Sequence, residues 1–210
     1  MTAPDLLWSA PVDLLPFLLF ALVASITPGP TNLLVLSNSA RFGFTAALPL
    51  VLAACASAAL LVLLVGLGIG DALSQHPQVQ QLMAWAGIAW LSYLAWQIFC
   101  SPAVGLDNAR AQTGERLSMA AAAGLQVVNP KTWMMALAVV GVFAAHAPDK
   151  TSRVAQLALL FFLIAVPCLG VWAALGRGVS RFCRSDAGMR RFNQVMAVLL
   201  LASAWLSLLA

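Results

Sequence analysis

Of 210 residues, 62% are hydrophobic and 9% charged, and the net charge is +4; this excludes a soluble globular domain and predicts an all-α, polytopic membrane protein. The positive surplus does not imply nucleic acid, because the basic residues are dispersed at the ends of apolar runs with no soluble domain to present them as a patch. Asp5 and Asp13 precede a first apolar run too long for a cleaved signal peptide, so that run is read as a retained helix.

Near-uncharged stretches fall at about 14–40, 42–70, 72–106, 117–148, 154–176 and 192–210, each at or near the ~20 residues that a spanning helix needs. Six transmembrane helices are therefore expected, in a single membrane domain over 1–210. Segment one, Val12 to Leu36, has Trp8 outside it as an interfacial anchor and Arg41 beyond it. It contains Thr27–Pro28–Gly29–Pro30–Thr31–Asn32, where two prolines lack N–H donors and leave the carbonyls of Ala24 and Ile26 without helical partners. Lipid cannot satisfy freed backbone groups, so a break at that depth must pack on protein or line a wet cavity.

Segment two, Phe44 to Ile69, carries Pro49 and a run of small residues from Ala53 to Ala59 that admits a closely packed helix, and it ends in Gly66–Leu67–Gly68. Segment three, Val79 to Phe99, places Trp85 and Trp96 near its two ends as an aromatic belt would. Ser101 to Arg116 is a polar connector. Segment four, Leu117 to Ala145, is interrupted at Asn129–Pro130–Lys131; segment five, Val154 to Leu175, contains Pro167 and ends Gly176–Arg177–Gly178; segment six runs from Phe192 to Leu209.

The halves, about 12–100 and 117–210, echo each other. Thr27–Pro28 matches Asn129–Pro130, Gly66–Leu67–Gly68 matches Gly176–Arg177–Gly178, and Gln81–Leu82–Met83–Ala84 recurs as Gln194–Val195–Met196–Ala197. Ala89-Trp-Leu-Ser-Tyr-Leu-Ala95 likewise recurs as Ala204-Trp-Leu-Ser-Leu-Leu-Ala210. With three helices in each half, the second half enters from the opposite face, a 3+3 inverted-topology repeat with helices one and four broken. Arg41, Arg110, Arg116, Arg177, Arg181, Arg184, Arg190 and Arg191 then share one side, against Lys150 and Arg153 on the other. The positive-inside rule makes the Arg-rich side cytoplasmic and both termini periplasmic.

Inverted repeats with a broken helix in each half hold substrate near the midplane, between the breaks. Lys131 is the charge inside a spanning segment, and its insertion costs about 2.5–3.5 kcal/mol. It either attracts the carboxylate of a zwitterionic substrate, secures the loosened turn through the freed Gln126 carbonyl, or snorkels. Thr27, Thr31, Asn32, Gln126 and Asn129 either hydrogen-bond an ammonium or hydroxyl or cap the half-helices. Together with Pro28, Gly29, Pro30 and Pro130 these residues form the expected substrate site. No Asp or Glu lies inside a span, and Asp13, Asp71 and His146 are read as solvated end residues. Coupling to the proton gradient and simple substrate efflux both stay open.

Cys55, Cys100, Cys168 and Cys183 have neither CxxC nor metal-ligand spacing, and Cys55 and Cys168 are read as small packing residues. No metal or cofactor is called for. A homodimer is permitted by the Ala- and Gly-rich faces but not required.

At Thr27-Pro-Gly-Pro-Thr-Asn32, Ala40-Arg-Phe-Gly-Phe44, Ala84-Trp-Ala-Gly87 and Gln126-Val-Val-Asn-Pro-Lys131 the chain resembles the LysE/RhtB family of bacterial amino-acid exporters. Leu94–Ala95–Trp96–Gln97 is similar to the subgroup that exports cysteine and O-acetylserine. The family often has Asn directly after Pro-Gly-Pro, where this chain has Thr31. The resemblance implies a non-enzymatic transporter of the bacterial inner membrane that exports amino acids or close derivatives without ATP. Two other functions share a similar architecture: a membrane thiol–disulfide electron carrier, which needs a cysteine beside each proline break, and a metal-ion exporter, which needs converging carboxylate, thiolate or imidazole ligands.

Overall fold

The computed structural model describes residues 14–70, 72, 75–100, 118–145, 147–182 and 185–206, all of whose regular structure is helical. Asp5, Trp8, Asp13, Asp71, the connector 101–116, His146, Cys183 and Arg184 lie outside the described residues.

Helix α1 (Leu14–Ile26) stops where Pro28 and Pro30 remove the next donors, and α2 (Pro30–Phe42) restarts with proline at its first turn, where a missing N–H costs nothing. The two helices meet at 53°. This first span is longer than expected, running on to Phe42 instead of ending at Leu36, because nothing after Pro30 interrupts the helix before Gly43. Gly43, at φ 91°, then turns the chain into α3 (Phe44–Leu64). The π-turn Val65–Ile69 prolongs α3 and contains Gly68 at φ 109°, a conformation that favours glycine.

Helix α4 (Pro77–Phe99) follows, and then the interrupted pair α5 (Met119–Val128) and α6 (Pro130–Phe143). Helix α7 (Lys150–Phe182) continues past Gly176 and Gly178, so the Gly-x-Gly that ends segment five in the sequence reading does not end the helix. Helix α8 (Asp186–Leu206) closes the described chain.

Among the described residues, α3 with its π-turn and Lys150–Val179 are each long and apolar enough to cross a membrane, and α1 with α2 make a third, bent, candidate; α5 and α6 are shorter apolar helices. One core cluster joins α1, α3, α6 and α7 around Phe17, Val51, Leu61, Val139, Leu157 and Phe161. A second joins α2, α4, α5 and α8 around Leu33, Leu91, Leu125 and Leu200. Small residues set the closest approaches. A Cβ on Gly176 would strike the Leu36 carbonyl, and one on Gly87 would strike the Val128 carbonyl, so α7 lies directly on α2 and α4 on the end of α5. Serine hydroxyls tie further contacts: Ser39 Oγ donates to Ala173 O (2.6 Å) and Ser57 Oγ to Ala123 O (2.9 Å).

Candidate functional site

The two proline breaks meet. Lys131, in the first turn of α6, extends across the chain and its Nζ donates to Thr27 O at 2.8 Å. The lysine thus braces the first break rather than the Gln126 carbonyl of its own. Its side chain lies on Gly29, where an added Cβ would come within 3.1 Å of Lys131 Cδ and Nζ. Gly29 itself is extended (φ −164°), a backbone open to any residue, so it is the end of the lysine, and not the dihedral angle, that a larger residue there would have to displace.

Besides Thr27 O, two carbonyls at the first break are met by side chains. Asn32 Nδ2 donates to Ser25 O at 2.9 Å and Trp172 Nε1, from α7, to Ile26 O at 3.1 Å. Thr27 turns its hydroxyl back to Val23 O (2.5 Å), so its side chain caps α1. In a medium without water such pairing is what allows irregular backbone to persist.

The second break is a single residue wide. Asn129 Oδ1 caps α6 by accepting from Lys131 N at 3.1 Å, and Trp133 Nε1 donates to Val127 O at 2.6 Å. Thr31 joins the two breaks: its Oγ1 accepts from Gln126 Nε2 (3.0 Å) and Asn129 Nδ2 (3.4 Å). Thr132 Oγ1 donates to Gln126 Oε1 at 2.8 Å and fixes that amide from the other side.

Between them lies a cavity of about 40 Å³, room for a few waters. Of the expected site residues, Gly29, Thr31, Asn32, Gln126, Asn129 and Lys131 line it. Thr27 contributes its carbonyl only, Pro28 is exposed, and Pro30 and Pro130 serve as helix starts. Sequence reasoning missed Ser25 and Thr132 in the lining, and the wall of α3 formed by Ala54, Cys55 and Ala58. The signal for that wall was present in the small-residue run Ala53–Ala59, read only as a packing surface. Cys55 stands far from either proline in sequence yet borders the same cavity. Asn32, Gln126, Asn129 and Thr132 are all buried, whereas Lys131 is partly exposed.

The electrostatics of the two helix starts differ. Helix α6 is capped by Asn129, whereas α2, which starts at Pro30, has no side-chain cap, so no capping side chain offsets the positive end of its dipole beside the Lys131 ammonium. No carboxylate borders the cavity among the described residues.

The family model described as "LysE type translocator" matches residues 22–209. A cysteine/O-acetylserine efflux protein of Salmonella typhimurium (strain LT2) is 32% identical over 196 residues, covering 92% of this chain and 96% of the relative. The protein of the same name from Escherichia coli (strain K12) is 31% identical over 195 residues, with the same coverage. No solved structure matches.

Proposed function

The chain belongs to the LysE translocator family, membrane transporters and not enzymes, and from this premise we propose that it is a secondary exporter. It carries small amino acids or close derivatives, of the cysteine and O-acetylserine kind named for its relatives, out of the cytoplasm across the inner membrane. The observation that carries this reading is the Lys131 Nζ to Thr27 O bridge over the cavity. A zwitterion enters with its carboxylate toward the uncapped start of α2 and Lys131, and its ammonium toward the carbonyl and hydroxyl oxygens of Ser25, Gln126 and Thr132. Ser25 borders the cavity and its Oγ is buried without a partner, so a rotation of that side chain would present it to a ligand. The present cavity is too small for an amino acid. Loading therefore requires α1 or α6 to move and Lys131 to exchange Thr27 O for the substrate, so that binding and opening are linked.

Several features support six spans in an inverted repeat. Helix α4, of 23 residues, is long enough to cross ~30 Å of hydrocarbon. The span α1–α2 packs on α7 as the span α5–α6 packs on α3, and α4 packs on α8; these are the contacts that exchanging the halves would preserve. The serine bonds Ser39 to Ala173 and Ser57 to Ala123 fall on that same pair of contacts. In this orientation Arg41 faces the cytoplasm and both termini the periplasm.

Efflux from proteoliposomes preloaded with O-acetyl-L-serine, L-cysteine and a panel of other amino acids tests the reading. Lys131→Ala and Asn129→Ala are expected to slow efflux at least tenfold, and unchanged export in both overturns the site. Replacing all four cysteines leaves efflux intact; loss of export in that variant would favour thiol chemistry at Cys55.

A further inference from the structure

A second and larger cavity, about 530 Å³, lies at the other end of α2, well within the size range of small-molecule sites. Ser37, Asn38 and Arg41 of α2, Trp90, Tyr93 and Gln97 of α4, and Ser118 at the start of α5 line it. Asn38 is 93% buried (7% exposed), and neither its amide nitrogen nor its amide oxygen has a partner; Ser37 Oγ, more deeply buried, has none either. Buried amides are almost always hydrogen-bonded, so two orphaned side chains in the wall of one cavity, their polar atoms covered as the cavity now stands, call for a partner that a small rotation toward the cavity would supply.

The surrounding groups specify which ligand. Arg41 supplies a guanidinium, which favours a carboxylate; the start of α5 also borders the cavity, with Ser118 Oγ accepting from Ala121 N at 3.1 Å. The rings of Trp90 and Tyr93, 5.9 Å apart between centroids, line the same cavity and are surfaces that attract an ammonium. Gln97 Nε2 donates to Tyr93 Oη at 2.7 Å, leaving the phenol proton to be donated elsewhere.

We propose that this cavity is a second binding site for the transported amino acid, occupied before the substrate reaches the break cavity. This rests on the exporter reading above. The sites are in series along the same helix: Asn32 borders one and Asn38 the other, about 9 Å apart at 1.5 Å per residue. Leu33 and Leu125, each next in sequence to a residue that lines the first cavity, and Leu34, which borders the second, belong to one apolar cluster. The site gathers substrate from the Arg41 side, and the leucines part to pass it on.

Calorimetric titration of the purified full chain with O-acetyl-L-serine tests this. The native chain is expected to show two binding steps, of which Lys131→Ala removes one. Asn38→Leu and Arg41→Gln each weaken the other at least tenfold and leave the Lys131-dependent step in place. Asn38→Leu replaces an unsatisfied amide with an apolar group and so is expected not to lower the melting temperature, which separates lost binding from lost folding. Propionate, which lacks the ammonium, binds the second site at least tenfold more weakly. A single step abolished by Lys131→Ala, or two steps both unchanged in Asn38→Leu and Arg41→Gln, overturns the second site while the exporter reading stands. Efflux without any Lys131-dependent step overturns the exporter site instead.

Discussion

The two proline breaks use the same residue type in corresponding places but are held in different ways. The second is narrow and largely closes on itself: Asn129 caps α6 and Trp133 returns to Val127 O, both within the same span. The first is three residues wide, bends its span by 53°, and depends on distant parts of the chain, Lys131 for Thr27 O and Trp172 for Ile26 O. A break satisfied locally is rigid, whereas one satisfied from afar can be released by moving its partner. The first break is therefore the one that a moving partner can release, and the second is the base it would move against.

The largest expected effect comes from disturbing that base. Gly87→Val would drive a side chain into the Val128 carbonyl and is expected to cost about 3 kcal/mol in detergent unfolding, with loss of efflux; an unaffected protein would mean that α4 does not hold the second break. Lys131→Met keeps the length of the side chain and removes the donor, leaving Thr27 O unpaired, at about 2 kcal/mol. Trp172→Phe removes one bond to the first break and is expected to cost about 1.5 kcal/mol and to raise hydrogen exchange around residues 26–29 without altering α6. Asn129→Ala removes a helix cap for about 1 kcal/mol. If it proves more damaging than Lys131→Met, the roles of the two breaks are reversed. Gly29→Ala requires only the end of Lys131 to shift by a few tenths of an ångström, and is expected to change stability by less than ~1 kcal/mol while measurably weakening substrate binding.

Much of the site was legible in the residues. Prolines within an uncharged run dictate freed carbonyls wherever the chain goes, and a lysine in such a run must find an acceptor, so both breaks and Lys131 followed from backbone and solvation chemistry alone. The partners did not follow. Trp172 and Thr132 carry no local mark of function, and the two glycine pairs matched in sequence behave differently: Gly66 and Gly68 lie in a π-turn, while Gly176 and Gly178 lie within a continuous helix. Gly68 is forced to φ 109° by that turn, whereas Gly176 is needed for the approach of α2, and a sequence records the residue without the reason for it.

What the sequence by itself determined is therefore the material of this protein: apolar helices, two interruptions, an amine that cannot stay unpaired, and membership of a transporter family. Only the tertiary structure decided that the amine of one half closes the break of the other, and that Asn38 is left buried without a partner in a cavity beside Arg41. The reason is physical: the need of a buried polar group for a partner is set by its own chemistry, but which partner meets it depends on how helices far apart in the chain pack together.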